Sequence, residues 1–198
     1  RQPHIFRPAI LRRSDRLKET IMAYTFDEPR IGVLNIDQTD SGVTTAGGTT
    51  IPTPPAVLGT IVRAFDPTYG EGEFILLLGV ASTVVGSVVR YNATTYQTTL
   101  VVNTAVQDVP VAVAMSACTA GLYGWYQIAG NAVIKKTAVT VAPNVTLFLS
   151  ATAGRVKVLA SAGLQVVAAR SANLTTVTST TSTITVTINR PHLQSQIT

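Results

Sequence analysis

From Val57 onward the chain breaks into short apolar runs separated by glycine, asparagine and threonine. Runs of this length at roughly ten-residue spacing read as strands of a β-sandwich or small barrel, being too short for amphipathic helices. The pattern predicts strands at Val57–Ala64, Glu73–Gly79, Ser87–Asn92, Thr98–Val102, Val111–Met115, Tyr123–Ile128, Ala132–Ile134, Thr146–Leu149, Lys157–Ala160 and Val166–Arg170. After a threonine-rich low-complexity stretch, Thr183, Ile184, Thr185, Val186, Thr187 and Ile188 alternate strictly, as a half-buried strand does. A lone strand cannot satisfy its own backbone polar groups. It must join a sheet in its own body or in a neighbouring chain, which makes these six residues a candidate strand-addition segment.

Upstream the pattern is different. Pro8 followed by residues 9–21 is the one helical stretch, with Ile10, Leu17 and Ile21 on a narrow stripe that is stable only when buried against something. Residues 24–56, with Pro29, Pro52, Pro54 and Pro55 and the flexible Ala46-Gly47-Gly48, read as an extended connector with one strand at Arg30–Ile36. The expected organisation is therefore an N-terminal arm and connector (1–56), a β-rich body (57–172) and a C-terminal strand and tail (173–198). The fold class is all-β: a compact β-barrel or β-sandwich with an extended N-terminal arm carrying a short helix. Ser82, Ser116 and Ser150 lie 34 residues apart, each followed closely by Gly86, Gly121 or Gly154, a weak echo of a repeated β unit.

Composition supports the strands and narrows the chemistry. Thr (30), Val (25) and Ile (13) dominate the 198 residues, the β-branched class that suits pleated sheet. Charged residues are 13%, about half the ~25% of an average domain. Of the net charge of +5, most sits in residues 1–21, where Arg1, Arg7, Arg12, Arg13, Arg16 and Lys18 face only Asp15 and Glu19. From Val109 to the end there is no Asp or Glu. Acid–base pairs and calcium cages need carboxylates, so any such site falls in the first 108 residues. The late cations are too scattered for a phosphate-binding face, which argues against nucleic acid as a partner of the body.

Cys118 is the single cysteine, so no disulfide forms within the chain, and its apolar surroundings read as burial. His4 and His192 are the only histidines, and no zinc spacing, nucleophile elbow or phosphate-binding loop occurs. No metal, no cofactor and no enzymatic activity are expected. The longest strongly apolar run, Phe74–Ala81, is far short of the ~20 residues of a membrane-spanning helix. The sequence opens on Arg1, and Met22-Ala23-Tyr24 reads as a second plausible start. Three carboxylates, Asp66, Glu71 and Glu73, share one segment; solvated turn charges explain them as well as a calcium loop does. Three Asn-x-Thr triplets (Asn92, Asn144, Asn173) are expected by chance among so many threonines. Tyr123, Trp125 and Tyr126 form the strongest aromatic cluster. Alternation puts Tyr123 and Trp125 on one face and Tyr126 and Ile128 on the other, as core or interface anchors or, alternatively, a carbohydrate platform.

Residues 64–74 (Ala-Phe-Asp-Pro-Thr-Tyr-Gly-Glu-Gly-Glu-Phe), Leu78–Ser82 and Gly86–Val89 resemble the capsid decoration, or cement, proteins of tailed bacteriophages. So do Ala120–Gly130 and the ending Asn189-Arg190-Pro191-His192-Leu193-Gln194. The likeness covers roughly Val57 to Thr198, and residues 1–21 lie outside it. It implies a β-rich protein on the outer surface of the virion's capsid that binds the major capsid protein and sister copies, often as a homotrimer, and stabilises the expanded shell. In that role Arg7, Arg12, Arg13, Arg16, Leu17, Lys18 and Ile21 are the candidate capsid-contact arm. The rival expectations are a receptor- or glycan-binding head or tail module using Tyr123, Trp125 and Tyr126, a depolymerase using Asp66, Glu71 or Glu73, and an internal capsid protein whose arm meets packaged DNA.

Overall fold

The computed structural model describes residues 24–27, 34–104 and 108–194. The basic arm and its expected helix lie outside them. The described residues are all-β, with no helix among them. Their strands are β1 Thr25–Phe26, β2 Thr39–Asp40, β3 Val43–Thr44, β4 Thr50–Ile51, β5 Ile61–Asp66, β6 Gly70–Leu78, β7 Val88–Tyr91, β8 Thr98–Leu100, β9 Val111–Ala114, β10 Tyr123–Lys135, β11 Thr146–Leu149, β12 Val156–Lys157, β13 Gln165–Ser171 and β14 Thr183–Leu193. Twelve join one antiparallel sheet in the order β1-β5-β6-β10-β14-β13-β11-β12, with β2, β9, β7 and β8 branching from this path; β3 and β4 form a separate hairpin. Among the described residues the far end of the path meets the chain just past β10 at an isolated bridge between Lys136 and Val156, without a strand ladder. The body is therefore a branched, sheet-rich fold and not a closed barrel.

The branching originates in β10. The sequence pattern divides it at Ala129–Asn131, because glycine inside a strand weakens it. In the structure it is one thirteen-residue strand with a register shift between Gln127 and Ala129 and with Gly130 at φ 96°. A Cβ at Gly130 would collide with the carbonyl oxygen of Glu71, so only glycine fits. The bulge bends the strand, so that one of its edges pairs with β9 at Tyr126–Gln127 and then with β14 over Ala129–Lys135. The expected alternation holds before the bulge. Tyr123 and Trp125 pack with Val62, Phe74 and Leu76, while Tyr126 and Ile128 pack with Ile75, Leu77, Val89 and Ala112. Beyond it, Ala132 and Ile134 enter a third cluster with Leu147, Leu149, Val166, Ile184, Val186 and Ile188.

The connector is partly woven into this core. Trp125 is fully buried, and a buried indole N–H needs an acceptor; Nε1 donates to the Leu34 carbonyl at 2.7 Å. Phe26 stands edge-on to Trp125 at 6.0 Å and Tyr24 edge-on to Phe74 at 4.8 Å, while the Tyr24 hydroxyl donates to the Asn131 carbonyl at 2.9 Å. Ile36, placed in a strand by the sequence pattern, is instead a buried turn residue; the rest of the expected Arg30–Ile36 strand, up to residue 33, lies outside the described residues.

The expected strand-addition segment is corrected by the structure. Thr183–Ile188 belongs to β14, an interior strand with β10 on one side and β13 on the other. Its threonines alternate with the core residues Ile184, Val186 and Ile188. The strand also runs on to Leu193, past Pro191, because a second irregularity sits there. Val167 pairs with His192 and Ala169 with Ile188, so three residues of β14 oppose one of β13, and Ala168 and Arg190 adopt φ of 58° and 47°. A proline is tolerated within a sheet at such a bulge.

The 34-residue echo resolves into turn chemistry. Gly86, Gly121 and Gly154 have φ between 69° and 78° and each stands two residues before a strand, but Gly59 (83°) and Gly163 (71°) do the same outside that spacing. The three serines have no common role: Ser82 is exposed at φ 67°, whereas Ser116 and Ser150 are buried.

Lys136, at the end of β10, shows what a carboxylate-free half-chain does with a buried cation. Its ammonium donates to the carbonyls of Val139 (2.8 Å), Thr178 (3.0 Å) and Thr137 (3.4 Å), and burial holds its pKa below the ordinary lysine value. Thr178 lies in the threonine-rich loop before β14, so the ammonium ties that loop to the end of β10. Lys136→Met should leave three carbonyls unsatisfied, lower stability by about 2 kcal/mol and speed amide exchange over residues 174–182 more than elsewhere. Unchanged exchange there would contradict the clamp.

Burial also pushes the Tyr24 phenol up to about 12 from 10.0. Its neutral form is favoured in the folded chain, so its contribution to stability is complete below pH 10 and is lost as pH rises from about 10 to about 12. Tyr126, Tyr91 and Tyr69 shift in the same direction by desolvation. Chemical denaturation across this range should show stability falling with pH, with a shallower fall in Tyr24→Phe.

Candidate interaction surface

The described residues gather no catalytic constellation. Asp66 is buried, and its Oδ1 accepts from the backbone N–H groups of Thr68 (2.7 Å) and Tyr69 (3.0 Å), so it builds the β5–β6 turn. Glu73 is held by two arginines, Arg63 at 3.2 Å and Arg190 at 3.0 Å, while Glu71 is exposed. Among the described residues no three His, Cys, Asp or Glu side chains are grouped so as to hold a metal. Cys118 is buried, its thiol donating to the Leu122 carbonyl at 3.3 Å, and burial raises its pKa, which disfavours the reactive thiolate. Two of the Asn-x-Thr asparagines shape their own loops: Asn92 Oδ1 accepts from Thr94 and Thr95, and Asn173 donates to Val141 and Thr175.

The aromatic cluster offers no exposed platform. Trp125 and Tyr126 are fully buried and Tyr123 nearly so. Stacking on a sugar ring needs an open ring face, which none of the three has. They are core residues of this chain. The candidate arm residues Arg7, Arg12, Arg13, Arg16, Leu17, Lys18 and Ile21 lie outside the described residues.

A different surface emerges between them. Val43, Ile51, Val57, Ile61 and Phe65 are large apolar side chains exposed in one stretch of chain, with Val43 at 60%, Ile51 at 51% and Val57 at 80%. Between Asp40 and Arg63 the sequence has no charged residue. The hairpin β3–β4 opens this stretch. Val43 pairs with Ile51 and Thr44 with Thr50, the loop is closed by Thr45 N–H to Thr49 O at 2.8 Å, and every residue from 43 to 53 is exposed. The base is fixed by β2, which pairs with Tyr123 and Gly124, and by Asp40 Oδ1 accepting from Gly42 N–H at 2.9 Å. A two-stranded hairpin alone is marginal in water, and this one leaves an apolar cross-strand pair uncovered. Such an element gains stability when a second surface covers it. The sequence pattern missed it because strands of two residues carry no periodicity. The signal present was compositional, an uncharged span with valine and isoleucine on either side of Ala46-Gly47-Gly48.

No family model, no curated protein and no solved structure matches the chain.

Because the hairpin lies outside the main sheet, Val43→Asp with Ile51→Asp should leave the thermal unfolding midpoint within about 2 °C of the parent. A large drop would show that the hairpin packs on the body.

Proposed function

We propose that this protein is a structural component of a bacteriophage virion that binds the outer surface of the capsid and stabilises the expanded shell, alongside sister copies. The observation that carries the reading is the set of exposed apolar side chains Val43, Ile51, Val57 and Ile61 in the uncharged span between Asp40 and Arg63, opened by a hairpin that lies outside the main sheet. Exposed apolar side chains gathered in one stretch mark a candidate protein–protein contact. The body supplies what such a role needs, a rigid β platform with its central strands paired on both sides. The resemblance of Ala64–Phe74, Ala120–Gly130 and Asn189–Gln194 to decoration proteins points to the same role. The basic residues Arg7, Arg12, Arg13, Arg16 and Lys18 add a second, electrostatic means of attachment, and several weak contacts from one oligomer reinforce each other.

The reading is tested by mixing the purified chain with expanded heads of its phage stripped of this protein, then sedimenting them. The parent chain should co-sediment at saturable stoichiometry, and Val43→Asp with Ile51→Asp should weaken binding at least about tenfold. Failure of the parent chain to bind heads under any ionic strength would overturn the proposal.

A further inference from the structure

A trough crosses the strands at the level of the two bulges. The register sets Arg63 of β5 opposite Glu73 of β6, Glu73 opposite Ala129 of β10, and Ala129 opposite Asn189 of β14. Because Gly72, Ala129 and Gly130 have little or no side chain, the sheet is hollow there, with a cavity of about 320 Å³ walled by Arg63, Glu71, Glu73, Asn189 and Arg190. Asn189 also lines a second hollow of about 420 Å³, with Asn144, Thr146, Gln165, Arg170 and Thr187 on its walls. The strained residues Ala168 and Arg190 border these hollows, and strain held inside a sheet marks a place where geometry serves more than packing.

The groups on the walls define what would fit. Arg63 and Arg190 are 70% and 63% exposed and each uses a guanidinium N–H on a different oxygen of Glu73, which leaves most of their donors facing outward. Arg170 adds a third cation, Glu71 an exposed carboxylate, and the remaining wall groups are amides and hydroxyls that both donate and accept. A polypeptide backbone matches that mixed set of donors and acceptors, whereas a phosphate chain offers acceptors alone.

We propose that this trough, walled by Arg63, Arg170, Arg190, Asn144 and Asn189, binds an extended acidic segment of a partner protein. The inference does not depend on the virion reading. Glu73 acts as an internal competitor, an intramolecular carboxylate that occupies the two arginines until the partner's carboxylate replaces it.

The test is fluorescence anisotropy of the full chain at low salt with a labelled (Glu-Ser)5 peptide, compared with (Gln-Ser)5 and a ten-nucleotide oligo-dT. The acidic peptide should bind best and weaken with salt. Arg63→Ala and Arg190→Ala should each weaken it about threefold, Glu73→Gln should strengthen it about threefold, and Lys157→Ala, away from the trough, should leave it unchanged. A structural role for the Arg63–Glu73–Arg190 cluster would make Glu73→Gln no better than the parent. The proposal is overturned by that result, by equal losses in Lys157→Ala and Arg190→Ala, or by oligo-dT binding more tightly than the peptide.

Discussion

Strand β10 pairs with β6 along one edge and with three different strands, β2, β9 and β14, along the other. These partners take successive residues, Tyr123–Gly124, Tyr126–Gln127 and Ala129–Lys135, and the bulge between Gln127 and Ala129 with the left-handed Gly130 bends the strand where its edge passes from β9 to β14. The three core clusters follow from that bend. Tyr123 and Trp125 fill one, Tyr126 and Ile128 a second, and Ala132 and Ile134 reach a third. The trough is its outward counterpart: small residues at the bend leave a hollow, and the facing bulge in β14 brings Arg190 to its rim.

The strands of the body were legible in the sequence as short apolar runs between turn residues, whether alternating like Thr146–Leu149 or buried throughout like Val111–Ala114. Thr146–Leu149 is observed with the expected limits, and Val111–Met115 ends one residue earlier, at Ala114. The failures share a physical cause, which is backbone geometry that side-chain periodicity does not report. The expected strands ended at Ile128 and at Ile188, and each runs on through an irregularity inside a longer strand. Residues 24–40 read as connector, yet Tyr24 and Ile36 are buried, because the buried Trp125 indole draws the Leu34 carbonyl over it through a contact 91 positions away in sequence. The aromatic cluster was visible as a cluster, and its two faces were predicted from alternation. Its burial depends on tertiary neighbours that come from the N-terminal side. The exposed hairpin and the arginine-walled trough were not legible, since one rests on two-residue strands and the other on the register of four strands.

The scarcity of charge shapes the molecule from within. With no carboxylate after Asp108, a buried lysine in that half has no counter-ion within its own stretch of chain, and Lys136 is satisfied by three carbonyls instead. The same scarcity leaves Glu73 as the shared partner of Arg63 and Arg190, from β5 and β14. It also leaves the span between Asp40 and Arg63 without a charge to keep it in water. The chain puts much of its polar chemistry into threonine and backbone groups. It is well supplied with β surface to present to other chains.

The central claim is that the chain is an assembly protein whose apolar stretch 43–65 becomes buried on its partner. Amide hydrogen exchange of the full chain, free and bound to expanded heads, tests this most directly. The account predicts fast exchange across residues 43–53 in the free chain and strong protection of those same residues on binding. Binding with no protection of the hairpin, or with protection confined to other parts of the body, would contradict it.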